Sequence, residues 1–153
     1  MEGIEKNEAA QERAASNYLS GYNCAQSVME ALGNAEGLDV EPLVRMVTGL
    51  GGGIARQGEA CGALVAGALW LGLAHGTAEA DESRAEAYRL AEKLVEGFRA
   101  RAGALTCAAI NGTEDFTSEE HKQRCSGLCG WTAQAVLAIL AILQGGEDEQ
   151  QPS

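Results

Sequence analysis

Cysteines are the residues of this chain best suited to chemistry, and there are five: Cys24, Cys61, Cys107, Cys125 and Cys129. Because the number is odd, a framework of structural disulfides would leave at least one thiol over. The absence of Cys-x-x-Cys argues against thioredoxin-like and zinc-ribbon sites, and the absence of Cys-x-x-Cys-His argues against covalent haem attachment. The thiols therefore indicate another kind of redox or metal site, or simple packing, since free cysteine is often a small buried hydrophobe.

Four of these cysteines are expected near helix starts. Cys24 follows an Asn23 cap that pairs with Gln26, and Cys61 lies in the first turn of a helix from about Glu59. Cys107 is expected at the start of a short turn, and Cys125 directly before a cap at Ser126. The N–H groups at a helix start lack partners and carry partial positive charge. This environment lowers the pKa of a thiol and favours the thiolate, which attacks disulfides and binds metals. We predict that the four thiols converge on one site, with Cys61 as the attacking thiol and a second cysteine resolving the disulfide.

A glycine-rich loop spans residues 49–58, directly before Cys61. It contains neither a Walker motif nor Gly-x-Gly-x-x-Gly, and a predicted helix rather than a strand precedes it. We expect the glycines to let the chain turn tightly beside Cys61. Gly52, Gly53 and Arg56 are the candidates for an anion site at the start of the next helix, where Arg56 would either support an anion or thiolate or lie exposed.

A second candidate for metal binding lies near the end of the chain. His121, Cys125 and Cys129 recur at intervals of four residues, which on a continuous helix would place them on one face. The glycines within residues 127–130 argue against such a helix, and we predict a break near Ser126. His121 and Cys129 are therefore kept as substitutes for Cys125 in a metal site.

The composition favours helices. The chain has 27 alanines and 20 glycines but only 18 Val, Ile and Thr residues together. Periodicity and capping signals predict an all-α, single-domain bundle of about six helices, with the glycine-rich loop before the fourth. The first helix is expected from about Glu8, capped by Asn7, to Leu19, and the last is expected to end at Gly145-Gly146. The domain would span residues 1–146, followed by a disordered acidic tail over 147–153.

Charge and hydropathy limit the partners. The chain has 11 Lys and Arg residues against 22 Asp and Glu residues, a net charge of −11, which argues against binding nucleic acid or an anionic membrane. Its apolar stretches, Cys61–Ala74 and Trp131–Leu143, have 14 and 13 residues, short of the roughly 18–20 that a spanning helix needs. The charged N-terminus lacks the apolar core of a signal peptide. We therefore expect no membrane insertion and a cytoplasmic location, where thiols stay reduced.

Two segments carry a family resemblance. Residues 51–63, Gly-Gly-Gly-Ile-Ala-Arg-Gln-Gly-Glu-Ala-Cys-Gly-Ala, resemble the central motif of the bacterial C_GCAxxG_C_C family of redox-active proteins. Residues 21–28 are similar to the first cysteine segment of that family, and Cys107 and Cys125 fall where its third and fourth cysteines would lie. The resemblance covers roughly residues 10–143.

The chain departs from the family pattern in two places. Ala66 stands where the motif has glycine, with Gly67 following, and Cys129 is additional. Either Cys125 or Cys129 could therefore be the fourth cysteine, and we favour Cys125. The resemblance implies a cytoplasmic helical protein that does redox chemistry and is often encoded beside transporter genes, with neither a substrate nor a cofactor specified.

Three functions agree with these features. In the preferred one, the four cysteines Cys24, Cys61, Cys107 and Cys125 line one pocket and either cycle between dithiol and disulfide or hold an iron–sulfur cluster. In the second, the same thiolates bind zinc without turnover, because thiolates suit zinc and iron–sulfur clusters equally. In the third, the protein is an adaptor or sensor bound to a transporter or to an electron donor or acceptor protein, and the cysteines only pack. The oligomeric state is left open.

Overall fold

The structure is a computed structural model that describes residues 2–112 and 115–150, with side chains described as far as residue 143. Its elements in chain order are α1 (Glu2–Leu19), α2 (Cys24–Ala35), α3 (Val40–Met46), a short 3-10 helix (Thr48–Leu50), α4 (Gly62–His75), α5 (Ala85–Ala102), α6 (Cys107–Asn111) and α7 (Glu119–Gln150). No strand occurs within these described residues, so the predicted all-α bundle is confirmed.

Helix α7 is the central element and packs against α1, α2, α4 and α5. It is continuous from Glu119 to Gln150, so the predicted break near Ser126 is wrong. Gly130 lies where α7 crosses α1, and a Cβ there would come within 2.9 Å of the Gln11 carbonyl oxygen. A glycine costs a helix only about 1 kcal/mol, which this close approach offsets. Cys125 therefore lies inside a helix and not, as predicted, at the start of one.

The other helix boundaries follow local signals more closely. The capping box before α2 is confirmed, because Asn23 Oδ1 accepts from the Gln26 N–H at 2.9 Å and Gln26 Oε1 accepts from the Asn23 N–H at 3.2 Å. Helix α1 begins at Glu2, so the predicted cap at Asn7 is wrong. The residues before Asn7 include Glu and Lys, good helix formers that extend the helix.

A buried carboxylate fixes α1 against α2. Glu30 of α2 is only 5% exposed. It accepts hydrogen bonds from Arg13 Nε at 3.0 and 2.9 Å, and Asn17 donates a third through its side-chain amide. A buried charge is tolerated only when it is paired in this way. The pairing sets the position of the α1 C-terminus beside the start of α2.

The C-terminal part of α7 differs from the sequence expectation. The helix continues past the predicted end at Gly145-Gly146, and residues 151–153 of the predicted tail lie outside the described residues. Over Glu119–Leu143 it is long and apolar enough to cross a membrane by length and composition alone, while 44% of its most apolar window is buried inside the bundle. A core helix passes the same test, so the absence of membrane insertion stays a prediction.

Close packing around α4 predicts opposite effects for two glycine substitutions. An alanine Cβ at Gly67 would lie 2.8 Å from Leu94 Cδ2 and 2.9 Å from Thr132 Cγ2, whereas at Gly72 nothing lies within 4 Å. We expect Gly67→Ala to lower the free energy of unfolding by about 1–3 kcal/mol through overpacking. Gly72→Ala should raise it by up to about 1 kcal/mol, because alanine is the better helix former. Urea unfolding measures both, and equal midpoints would contradict this packing.

Candidate functional site

The four cysteines predicted to converge line one cavity of about 670 Å³. They are Cys24, Cys61, Cys107 and Cys125. The cavity lies between the end of α1, the glycine-rich loop, the starts of α2, α4 and α6, and one face of α7. Thiols that are far apart along the chain therefore share one space.

Two of the four thiols interact directly with each other. Cys24 is the first residue of α2 and Cys61 is the residue directly before α4, and their side chains are hydrogen-bonded to each other. Gly62 makes this contact possible, since a Cβ on that residue would lie 2.6 Å from Cys24 Sγ. The starts of two helices thus meet at one pair of sulfur atoms.

A short antiparallel bridge between Ala60 and Thr106 brings Cys61 beside Cys107. The Cys61 N–H donates to the Leu105 carbonyl at 2.9 Å, and the Cys107 N–H donates to the Glu59 carbonyl at 2.8 Å. These bonds hold Glu59 and Cys61 in an extended segment. Helix α4 therefore begins at Gly62 and not near Glu59 as predicted.

The pair is asymmetric in charge. The hydrogen bond from the Cys61 thiol lowers the pKa of Cys24, and the N–H groups of Gly52, Ala25 and Ala63 add to this effect and outweigh the opposing effect of burial. The same hydrogen bond, together with burial and the Cys24 charge, raises the pKa of Cys61. This asymmetry favours Cys24 as the thiolate of the pair, whereas the sequence analysis predicted Cys61 as the attacking thiol.

The glycine-rich loop adopts an unusual left-handed conformation. Its residues 52–56 all have positive φ angles, between 51° and 72°, although Ile54, Ala55 and Arg56 are not glycine. Each such residue costs roughly 1–2 kcal/mol. Main-chain hydrogen bonds close the turn, from the Arg56 N–H to the Gly51 carbonyl at 2.9 Å and from the Gly58 N–H to the Gly52 carbonyl at 3.1 Å. Strain of this kind is held only where the surrounding structure fixes it.

The three residues predicted to bind an anion have different positions. The Gly52 N–H faces the Cys24 sulfur, so it stabilises the Cys24 thiolate. Gly53 is buried, and a Cβ there would lie 2.8 Å from Cys107 Cβ. Arg56 is exposed at the rim and lines the cavity.

Asn111 connects the other two thiols of the cavity. Its Nδ2 donates to the Cys107 carbonyl at 3.3 Å and to Cys107 Sγ at 3.5 Å. Its Oδ1 accepts from Arg124 Nη1 at 3.0 Å and from Cys125 Sγ at 3.9 Å. This buried amide therefore fixes α6 against α7 and orients both thiols.

Cys125 lies in a polar corner of the cavity. The Tyr18 hydroxyl donates to its sulfur, and His121 Nε2 lies 3.4 Å from Sγ. Burial nevertheless raises the pKa of Cys125 to about 11, and burial likewise raises the pKa of Cys107. Both thiols are therefore protonated at neutral pH, in contrast to Cys24.

The two substitute residues also differ from each other. His121 is only 1% exposed, lines the cavity and stacks edge-on against Phe116 with ring centres 4.6 Å apart. Cys129 is fully buried outside the cavity lining, where its Sγ donates to the Cys24 carbonyl at 3.6 Å. Burial raises the pKa of Cys129 well above its usual range. Its place is that of a packing residue behind α2.

The thiols of the cavity are not arranged as the ligands of one metal ion. Among the described side chains, those of residues 2–112 and 115–143, no group of three or more His, Cys, Asp or Glu is placed to hold one ion. The thiols are instead engaged in hydrogen bonds, Cys24 with Cys61 and the other two with Asn111. The arrangement does not fit a zinc or iron–sulfur ligand set, and the prediction of such a group gains no support from it.

Sequence reasoning missed two polar residues of the site, Tyr18 and Asn111. Asn111 lies four residues after Cys107 in a helix that begins at the Thr106 cap, so helical spacing would have placed the amide over the thiol. No comparable signal marks Tyr18, because its contact with Cys125 depends on how α1 crosses α7.

The fold and the site together describe a helical protein whose cavity is lined by four thiols. A family model described as "Putative redox-active protein (C_GCAxxG_C_C)" matches residues 22–139, which include all five cysteines. The chain therefore belongs to this family, as the resemblance of residues 51–63 indicated. Searches among curated proteins and among solved structures found no match.

Proposed function

We propose that the protein carries out thiol–disulfide exchange, with Cys24 as the attacking thiolate and Cys61 as the resolving thiol. The observation that carries this proposal is the hydrogen-bonded Cys24–Cys61 pair, in which the pKa of Cys24 is lowered. Thiolates and not thiols attack disulfides, so a pair with one stabilised thiolate and one protonated neighbour is prepared for two successive exchanges.

In the first exchange, the Cys24 thiolate attacks a substrate disulfide, forms a mixed disulfide and expels one substrate thiolate. The negative charge on Cys24 then disappears, and with it a cause of the raised pKa of Cys61. Cys61 gives its proton to the expelled thiolate and attacks Cys24 Sγ. The second substrate thiolate leaves and takes up the proton that Cys24 had given to solvent. The protein loses two electrons and two protons, and the substrate disulfide gains both.

Cys107 and Cys125 stay members of the site with protonated thiols. Their common partner Asn111 supports a role as a second set of thiols, able to exchange with the Cys24–Cys61 disulfide after losing a proton. We propose the cytoplasm as the location, since its reducing conditions return the pair to the dithiol form. An electron donor or acceptor protein, or a transporter, is the proposed partner.

Mild oxidation should join Cys24 to Cys61 and leave Cys129 free. Reduced protein is treated with diamide, quenched by alkylation in acid and analysed by peptide mass spectrometry. We expect one intramolecular disulfide between Cys24 and Cys61 in the wild type, because each of these thiols shifts the pKa of the other and Cys24 Sγ lies against Gly62, the residue after Cys61. The Cys129→Ser variant should give the same product, since Cys129 lies outside the cavity lining.

Other outcomes of this experiment would contradict the proposal. An unchanged count of free thiols, or a first disulfide that excludes Cys24, would remove its basis. Protein purified without oxygen that is brown and contains iron and sulfide would favour electron transfer instead, and colourless protein with zinc would favour a metal-binding module.

A further inference from the structure

The lining of the cavity differs in charge from the chain as a whole. The chain has 22 Asp and Glu residues against 11 Lys and Arg residues, yet the described residues of the lining include no carboxylate. They do include Arg56 and Lys122. Asp115, which precedes the lining residue Phe116, is engaged with Thr117, whose N–H and hydroxyl donate to its Oδ1 at 2.8 and 2.7 Å. The described part of the lining is therefore net positive, in contrast to the net charge of −11 for the whole chain.

The two cations come from different elements that border the cavity. Arg56 belongs to the left-handed loop whose Gly52 N–H faces Cys24. Lys122 belongs to α7 and lies one helical turn before Cys125. An anionic group bound by either side chain would be held in the same cavity as the thiols, and low local dielectric at a concave surface strengthens such an attraction.

The size of the cavity and the burial of its thiols limit the ligand. About 670 Å³ falls within the range of roughly 300–1,000 Å³ found for small-molecule sites. Cys24 is half-buried, and Cys61 and Cys107 are each only 8% exposed, which favours a narrow ligand over the disulfide of a bulky folded protein. A small and extended molecule enters more readily.

We infer that the cavity takes a low-molecular-weight disulfide carrying carboxylate groups, which Arg56 and Lys122 bind while the S–S bond reaches Cys24. This inference rests on the thiol–disulfide exchange proposed above and uses the same two steps. The cations act by attracting the anionic disulfide to the cavity, an effect that a neutral disulfide does not share.

Three oxidants of different charge test the inference. Reduced protein at pH 7 and low salt is mixed with glutathione disulfide (anionic), bis(2-hydroxyethyl) disulfide (neutral) or cystamine (cationic). The rate of Cys24–Cys61 disulfide formation is followed by acid quenching, alkylation and mass spectrometry. Each rate is divided by the rate of the same oxidant with 2-mercaptoethanol, which corrects for intrinsic reactivity. We expect the anionic oxidant to react about tenfold faster than the neutral one.

Charge-removing variants supply the control. In the double variant Arg56→Gln/Lys122→Gln, the anionic rate should fall about tenfold while the neutral rate changes less than twofold. The double variant Lys93→Gln/Arg101→Gln removes the same charge from α5, outside the lining, and should leave both rates near those of the wild type. Added salt should reduce the preference for the anionic oxidant.

The outcomes separate the two proposals. The inference is wrong, and the exchange function stands, if the pair forms a disulfide with the neutral oxidant but shows no preference for the anionic one. The same conclusion holds if cystamine reacts fastest, which is the result that the net charge of −11 alone would give. If no oxidant joins Cys24 to Cys61, both are wrong.

Discussion

Replacing Cys61 with alanine should slow the alkylation of Cys24 at pH 6 by about tenfold. A hydrogen bond to a charged group is worth about 1.5–3 kcal/mol, so losing the Cys61 donor raises the pKa of Cys24 and reduces its thiolate fraction. The remaining thiolate is intrinsically more nucleophilic, which offsets part of the loss. Iodoacetamide labelling quantified on the Cys24 peptide measures the rate.

The pH profile gives the sign of the effect. The reactive form is the thiolate, and because the pKa of Cys24 is lowered, its labelling rate should reach half of its plateau below about pH 8.5, the value for an ordinary thiol. In Cys61→Ala this midpoint should move to higher pH. In Cys61→Ser the hydroxyl still donates, so the midpoint should lie between those of the wild type and the alanine variant.

Two further observations keep this prediction testable. Cys24→Ser should remove the fast labelling phase at pH 6–7, because burial still raises the pKa values of the other four thiols when the Cys24 charge is absent. The interpretation fails if the three proteins share one midpoint, or if the fast phase survives in Cys24→Ser and maps to Cys61.

Gly53→Ala should destabilise the protein by about 2–5 kcal/mol. A Cβ at this position would lie 2.5 and 2.6 Å from the Glu59 main-chain oxygen and nitrogen. Because these are backbone atoms, the clash cannot be relieved by a change of rotamer. The φ angle of +72° adds the roughly 1–2 kcal/mol that alanine loses in the left-handed region. Urea unfolding measures the change in the free energy of unfolding.

Gly103 offers a matched control for this substitution. Its φ angle is +83°, but nothing lies within 4 Å of a Cβ there, so Gly103→Ala should cost only about 1–2 kcal/mol. If the two variants lose the same free energy of unfolding, the φ angle alone explains the loss, and the loop does not pack against Glu59. Gly53→Ala should also slow the labelling of Cys24, because it displaces the loop that carries the Gly52 N–H.

Short-range sequence signals predicted the positions of three cysteines at or near helix starts. The Asn23–Gln26 capping box placed Cys24 at the start of α2, and the glycine-rich loop placed Cys61 near the start of α4. Cys107 likewise begins the short helix that was expected around it. In each case the residues within a few positions of the cysteine define the turn.

Parts of the site that depend on packing were beyond the sequence. Cys125 reaches the cavity from within a continuous helix, because the close approach of α1 at Gly130 favours glycine where a break was expected. The contacts of Tyr18 and Asn111 with Cys125 arise from helix crossings, for which the sequence holds no short-range pattern. The lowered pKa of Cys24 depends first on the Cys61 thiol and then on main-chain amides, among them the Gly52 N–H in the left-handed turn.

That turn has a consequence for mutagenesis. The groups that surround the Cys24 sulfur, apart from Cys61, are main-chain amides of Gly52, Ala25 and Ala63. An alanine scan removes side chains and leaves every amide in place, so scanning Ile54 and Arg56 would not expose the source of the positive field. These amides belong to the backbone, so a substitution weakens their effect on Cys24 only if it moves the backbone, as Gly53→Ala is expected to do.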